Sequence, residues 1–442
     1  MKIQLSDSFD YKKLLRFTFP SIIMMVFTSI YGVVDGFFVS NFVGKTPFAA
    51  VNFIMPFLMI LGTVGFMFGT GGSALIAITM GAGDKERAQR LFSLFIYVSA
   101  ICGILIGALG IVVIRPVAAW LGAEGEMLDN CVVYGRIILA VLPALILQYE
   151  FQSFFITAEK PKLGLAVTVA AGVANMVLDA LFVGVLRWGL VGAAAATAIS
   201  QSVGGIIPLI YFGRPNTSLL RLTRTKFDGR ALLKVCTNGS SELMSNISMS
   251  VVGMLYNIQL MKYAGEDGVA AYGVLMYVNM IFLAAFIGYS VGVAPVVGYH
   301  YGAGNHEELK GLLKKSLVLI GIFSVSMVIL AEGLARPLAL IFVGYDPELL
   351  DMTLRGFLVY SFSFLFAGLA IYGSSFFTAL GNGLVSALIS FLRTMVFQVA
   401  AVLIFPLIWG LDGIWFSIVA AELVAALVTV AFLAGKRKKY HY

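Results

Sequence analysis

Three polar side chains lie deep inside apolar stretches of this 442-residue sequence, at similar distances from the nearest charged residues. Asp35 precedes Lys45 by ten residues. Asp179 precedes Arg187 by eight residues, and Thr197 follows Arg187 by ten. Because a helix rises ~1.5 Å per residue, these spacings place the three side chains roughly 12–15 Å below one surface. Three oxygen-bearing side chains at one depth can meet in a single site.

A fourth polar residue, Asn175, lies one helical turn before Asp179 and on the same face. Two carboxylates, an amide oxygen and a hydroxyl at one depth form a hard-oxygen site that suits Na⁺. Alternatively, two carboxylates crowded in a medium of low dielectric bind a proton. A third interpretation is structural, with Asp179 bonded to a neighbouring helix and Asp35 facing an aqueous cavity. Because ionisable residues at membrane depth are usually functional, we predict a cation site at Asp35, Asn175, Asp179 and Thr197.

The composition identifies the elements that must position these residues. Of all residues 60% are hydrophobic and 12% are charged, against about 25% charged in a typical soluble domain. A helix that crosses a bilayer needs roughly 20 mostly apolar residues, because lipid cannot satisfy its backbone. Such segments occupy residues 14–39, 47–80, 90–113, 130–157, 163–186, 189–212, 231–260, 268–298, 312–334, 352–380, 384–408 and 412–434. The sequence predicts an all-α polytopic membrane protein with twelve transmembrane helices.

The distribution of charge predicts the orientation of these helices. Most of the 30 Lys and Arg residues fall in the tails and in the loops on one side. By the positive-inside rule, both termini are cytoplasmic and the protein is a multi-pass protein of the cell membrane. The net charge of +7 follows from this topology, so no nucleic-acid partner is expected. Acidic residues gather in the opposite loops: Glu124, Glu126, Asp129, Glu266, Asp267, Asp346, Glu348 and Asp351.

The two halves of the sequence are copies of each other. A shift of 221 residues aligns Arg115-Pro116 with Arg336-Pro337, and Trp188-Gly189-Leu190 with Trp409-Gly410-Leu411. The same shift aligns the loop Gly81-Ala82-Gly83-Asp84 with Gly302-Ala303-Gly304-Asn305. Six helices per half is an even number, so the predicted bundles are related by a pseudo-two-fold axis along the membrane normal. The predicted domains are an N-terminal bundle (1–212), a cytoplasmic linker (213–230) and a C-terminal bundle (231–442).

The four residues of the predicted cation site are not duplicated. The shift places Tyr256, Val396, Ala400 and Ile418 at their positions in the second half. The site therefore belongs to the N-terminal half alone.

The sequence resembles the multidrug and toxic compound extrusion (MATE) family over essentially its full length. The resemblance rests on the duplicated plan, on the spacing to Thr197, on the Gly-Ala-Gly loops, and on the stretches Tyr31-Gly32-Val33-Val34-Asp35-Gly36 and Asn175-Met176-Val177-Leu178-Asp179. It implies that Asp35, Asn175, Asp179 and Thr197 correspond to the N-terminal cation site of archaeal and bacterial members. It also implies a secondary active efflux transporter that exports amphipathic or cationic compounds in exchange for Na⁺ or H⁺ by alternating access. No cofactor beyond the coupling ion is expected, and the protein is expected to be a monomer in the bilayer.

Further residues are candidates for contact with the substrate. A soft methionine surface with scattered amides suits varied amphipathic ligands, although such a stripe is more often plain packing. Glu242 is predicted to lie inside the seventh span, where it faces the cavity or partners a helix terminus or a polar neighbour. The candidates are Met24, Thr28, Tyr31, Gln148, Gln152, Gln201, Glu242 and Tyr256.

Other buried charges favour structural interpretations. For Glu150 we predict an inter-helix hydrogen bond, and for Arg393 and Glu422 a neutralising pair. An enzyme is not expected, because no nucleophile–base pair, metal-ligand cluster or phosphate loop is evident. A lipid-linked oligosaccharide flippase is the closer alternative. It would need several arginines for pyrophosphate, and Arg393 is the one candidate.

Overall fold

The computed structural model describes residues 2–442 apart from the side chain of Lys45, and all regular secondary structure in that part of the chain is helical. The first half contains α1 (Tyr11–Phe38), α2 (Lys45–Gly81), α3 (Lys85–Trp120), α4 (Gly125–Ala140), α5 (Leu142–Thr157), α6 (Pro161–Asp179) and α7 (Gly189–Gly213). The second half contains α8 (Gly229–Asn238), α9 (Ser240–Gly302), α10 (His306–Val343), α11 (Pro347–Tyr360), α12 (Phe364–Ala379), α13 (Gly383–Phe391), α14 (Phe397–Trp409) and α15 (Leu411–Tyr440).

These helices account for twelve membrane spans. Within residues 2–442, ten helical stretches are long and apolar enough to cross a membrane. The pair α4 and α5, bent by 59°, forms an eleventh. The 63-residue α9 contains a non-helical break at Gly265, which divides it into two spans. The predicted all-α fold with twelve transmembrane helices is confirmed.

The duplication is visible in how corresponding helices begin and end. Asp84 caps α3 by accepting a hydrogen bond from the Arg87 N–H, and Asn305 caps α10 by accepting one from the Glu308 N–H. The first and second spans of each half are separated at Gly44 (φ 132°) and at its counterpart Gly265 (φ 67°). Positive φ favours glycine, so the chain turns at equivalent places in the two halves.

The predicted seventh span, residues 231–260, is wrong at its beginning. The structure has a separate short helix, α8, followed by α9 from Ser240. The break falls where the backbone of Gly239 meets α2, since a β-carbon there would lie 2.1 Å from the Met67 carbonyl oxygen. Glu242 therefore lies in the first turn of its span rather than well inside it.

The two halves pack closely at the end of the molecule that carries both termini. A β-carbon at Gly81 of α2 would lie 2.0 Å from the Tyr299 carbonyl oxygen, and one at Gly302 of α9 would lie 2.0 Å from that of Ile78. At Gly253, in the part of α9 toward the other end, an added β-carbon would have open space. Within the described chain, the two halves are therefore in close contact, or closed, at the end that carries the termini. No such close contact is present at Gly253.

The N-terminal segment, residues 2–9, also connects the halves at that closed end. The Leu5 N–H donates to the Glu159 carboxylate (2.8 Å) in the first half, and the Phe9 N–H donates to that of Glu308 (2.8 Å) in the second. The Lys315 ammonium donates to the Phe9 carbonyl oxygen. Burial raises the pKa of Glu159, and the bond from Leu5 partly opposes this effect.

Candidate cation site

Three helices of the first half carry the four residues of the predicted site. Asp35 lies in the last turn of α1, Asn175 and Asp179 lie at the end of α6, and Thr197 lies in α7. A π-helical turn follows each carboxylate closely: Val39–Val43 after α1 and Ala180–Val185 after α6. π-Helical turns often occur at functional sites because they redirect side chains locally.

The structure brings these four residues together. The Asn175 Nδ2 donates to the Thr197 Oγ1 over 3.4 Å. The Asp35 carboxyl group is adjacent to Asp179 and to Thr197. Asn175 and Asp179 are fully buried, whereas Asp35 and Thr197 are half-buried. One side of the cluster is therefore enclosed by protein, and the other is accessible through Asp35 and Thr197.

Several oxygens in the cluster have no partner within the described chain. They are the Asp35 Oδ1, the Asn175 Oδ1 and both carboxylate oxygens of Asp179. An unsatisfied buried polar group costs about 1–3 kcal/mol, and a charged group costs more. No Lys, Arg or His described in residues 2–442 forms a salt bridge with either carboxylate. This donor set fits a small cation or a bound proton, either of which would satisfy these oxygens.

Tyr134 of α4 is a fifth member of the cluster that the sequence analysis missed. Its side chain is buried, and its hydroxyl group has no hydrogen-bond partner within residues 2–442. It lies beside Asp35, Asp179 and Thr197. The 221-residue shift places Arg355 at the position of Tyr134 in the second half. The two halves therefore differ here, as they do at the other four residues, and this difference was visible in the sequence.

The predicted substrate contacts on α1 lie partly inside the first bundle. Met24 is buried, and the Thr28 hydroxyl donates to its carbonyl oxygen (2.8 Å). Tyr31 packs on α6, where a β-carbon at Gly172 would lie 3.0 Å from the tyrosine ring. Tyr31 also lies beside Gln148. The part of this face that stays accessible is therefore Thr28 and Tyr31, which are half-buried.

The predicted amides lie between α5, α6 and α7. Gln148 and Gln152 are each 4% exposed, and Gln148 packs against Gly204. Together they line a cavity of about 10 Å³, which is at the lower limit for holding one water molecule. Neither polar atom of the Gln152 amide has a partner in the described chain, and the Gln201 Oε1 also lacks one. The remaining candidates, Glu242 and Tyr256, lie in the second half.

The predictions for the other buried charges are confirmed. The Ser99 hydroxyl donates to the Glu150 carboxylate, which joins α3 to α5. The Arg393 Nε donates to both carboxylate oxygens of Glu422, over 3.2 and 2.9 Å.

Comparison with known proteins identifies the family. The sequence model of the MatE family matches residues 20–181 and again residues 243–404, once in each half. The chain belongs to the MatE family. The predicted family is thereby confirmed, and the double match agrees with the internal duplication.

Several known proteins are similar to this chain along nearly its whole length. The Multidrug export protein MepA of Staphylococcus haemolyticus is 26% identical over 444 residues, which covers 98% of this chain and 95% of the relative. A solved structure titled as the outward-facing conformation of a multidrug resistance MATE family transporter is 25% identical, with a TM-score of 0.93 and coverage of 99% and 98%. A crystal structure of a MATE protein in complex with MaL6, 24% identical with a TM-score of 0.93 over 98% of each chain, shares the fold.

Proposed function

We propose that this MatE-family protein is a secondary active multidrug efflux transporter. It exports small amphipathic and cationic organic compounds across the cell membrane in exchange for Na⁺ or H⁺. The export direction and the range of substrates are supported by the MepA relatives, which are named as multidrug export proteins. The exchange with a cation is supported by the site in the first half.

The single observation that carries the proposal is the unpartnered cluster at Asp35 and Asp179. Two unit charges about 4 Å apart repel by ~4 kcal/mol at an effective dielectric of 20. Without a positive partner, two buried carboxylates are stable only when a cation binds or a proton neutralises one of them. Binding and release of that ion therefore change the energy of the first half, which is what coupling to an ion gradient requires.

Both Na⁺ and H⁺ suit the oxygen atoms of this site. Carboxylate, amide and hydroxyl oxygens are the hard ligands that Na⁺ prefers. Carboxylates in close proximity also hold a proton well. The proposal therefore keeps Na⁺ and H⁺ as alternatives for the experiment to distinguish.

The proposed alternating access is supported by the way the halves meet. They are joined by close backbone contacts near the termini, at Gly81 and Gly302, while Gly253 has open space around it. A rocking of one half against the other would open the first end and close the second. If both termini are cytoplasmic, as the charge distribution predicts, this structure is closed toward the cytoplasm.

The flippase alternative is not favoured. Pyrophosphate recognition calls for several free arginines, yet Arg393 is engaged with Glu422.

Reconstituted protein tests the proposal. In proteoliposomes we expect either an imposed Na⁺ gradient or an imposed H⁺ gradient to drive movement of a fluorescent organic cation. The matched control is Asp35→Asn/Asp179→Asn protein incorporated to the same density. Equal transport with and without both gradients would contradict the proposal.

Cysteines placed near Ser6 and Lys438 test the topology, since neither should be labelled from outside in intact cells.

A further inference from the structure

The second half contains a buried ionic cluster built on the counterparts of the helices that form the cation site. In the first half these helices are α1, α4, α6 and α7. In the second half Tyr256 lies in the first span of α9, Tyr360 in α11, Arg393 in the π-helical turn between α13 and α14, and Glu422 in α15. The tyrosines lie close to Glu422. Both halves thus use the same four helices of the repeat to enclose polar side chains.

The ionic cluster is displaced by about one helical turn from the equivalent of the cation site. Glu422 lies four residues after the counterpart of Thr197 and is itself the counterpart of Gln201. Arg393 lies three residues before the counterpart of Asn175. Because α15 runs toward the end with the termini and α14 runs away from it, both displacements point toward that end.

The two clusters differ in their charge balance. The first half holds two carboxylates and no basic side chain, and its oxygens are unpartnered. The second half holds one carboxylate, and the Arg393 guanidinium bonds to both of its oxygens. The side chains of this pair are only 14% and 4% exposed. An arginine stays protonated under all ordinary conditions, so Glu422 always has a positive partner.

We propose that Arg393 is a tethered cation that fills a second cation site at Glu422, on the counterparts of the helices where the first half takes up an ion from solution and about one helical turn from the equivalent place. This inference rests on the proposed function of the first half. A diffusible cation can be released at one membrane face and rebound at the other, but a guanidinium attached to α14 cannot leave. The second half is therefore permanently in its neutralised form, and the transporter has one exchangeable ion site instead of two. Removal of Arg393 uncovers a carboxylate that takes Na⁺ or a proton.

The test uses a protein whose first site has been silenced. In the Asp35→Asn/Asp179→Asn background, full-length protein in nanodiscs is compared without further change, with Arg393→Gln, and with Arg393→Gln/Glu422→Gln. Binding of ²²Na⁺ and the infrared band of protonated carboxyl groups are measured side by side. We expect Arg393→Gln to add one bound cation per protein, seen as Na⁺ or as a protonated carboxyl, and the added Glu422→Gln change to remove it. If Arg393→Gln adds neither signal, the inference is wrong.

A second variant keeps the test decisive if Arg393→Gln does not accumulate in the membrane. Arg393→Gln/Glu422→Gln in the otherwise unchanged chain removes both charges together and keeps two amides of similar shape. We expect it to bind as many cations as the unchanged protein and to keep gradient-driven transport. Loss of cation binding in properly inserted protein would show that the pair takes part in ion exchange, and would overturn the inference. Failure of the proposed function gives a different result. In that case the unchanged protein and the Asp35→Asn/Asp179→Asn protein would give the same cation signal.

Discussion

The two halves of this protein share a backbone plan and differ in how they balance buried charge. In the first half, Asp35 and Asp179 face each other without a basic partner among the side chains that the structure describes. In the second half, Glu422 is paired with Arg393 on the corresponding helices. The duplicated fold provides two equivalent scaffolds, and in the proposed function the residues that break the repeat decide which of them depends on a cation from solution. Divergence between the copies is therefore more informative about function than their agreement.

Substitution of the two carboxylates should have the largest effect on this comparison. Asp35→Asn or Asp179→Asn keeps the shape of each side chain and removes its charge, so the protein should insert normally while gradient-driven export falls to the level without a gradient. The matched control is Tyr256→Phe, at the counterpart of Asp35, which should leave ion coupling intact. The measurement is uptake of a fluorescent organic cation into proteoliposomes. A dispensable Asp179 together with an essential Tyr256 would place the ion site in the other half.

Restricting movement between the halves should have the next largest effect. Phe37 in α1 and its counterpart Ile258 in α9 are both exposed at the ends far from the termini. Phe37→Cys/Ile258→Cys, bridged by a cleavable bifunctional reagent in a background without the native cysteines, should lose transport and regain it on cleavage. Each single-cysteine variant treated in the same way is the control. Full activity of the bridged protein would contradict rocking of one half against the other.

Removal of neutral members of the site should have a moderate effect. Thr197→Ala and Tyr134→Phe each remove one hydroxyl group and leave both carboxylates in place. A hydrogen bond or neutral ligand of this kind contributes about 1 kcal/mol, so the apparent affinity for the coupling cation should fall by about fivefold. Transport as a function of Na⁺ concentration and of pH measures this change. If Tyr134→Phe has no effect, its unpartnered hydroxyl is not part of the site.

The smallest expected effect concerns the N-terminal segment, a contact between the halves that lies outside the repeat. Glu308→Ala removes the acceptor for the Phe9 N–H and for the Ser8 hydroxyl. Because this site is partly exposed, we expect a loss of at most about 1 kcal/mol, seen as a small drop in thermal stability. Faster labelling of a cysteine introduced at the closed end should accompany it. Glu307→Ala is the control, since Glu307 is exposed and makes no side-chain hydrogen bond within the described residues. An equal effect of both changes would mean that the segment does not hold the halves together.

The sequence was sufficient to predict the span count, the duplication and the helices that bring Asp35, Asn175, Asp179 and Thr197 together. Apolar length and the constant 221-residue offset are local properties, and Asp35 and Asp179 stood out because charge is rare at membrane depth. The break before α9 was not predictable, because it depends on the close approach of Gly239 to Met67, which are far apart in sequence. The burial of Met24 and the role of Tyr134 likewise depend on which neighbouring helix each one faces. Periodicity alone does not contain that information.

The contacts at the closed end have a consequence for how the surfaces of the two halves fit together. At Gly81 and Gly302 the opposing surfaces are backbone against backbone, with no side chain between them. Fixing a long, flexible side chain costs up to ~2 kcal/mol of conformational entropy, and glycine has no side-chain entropy to lose. If the halves rock as proposed, they would separate and rejoin at these points without reordering side chains. Because glycine has no rotamers, the same surfaces would fit again each time the closed end re-forms.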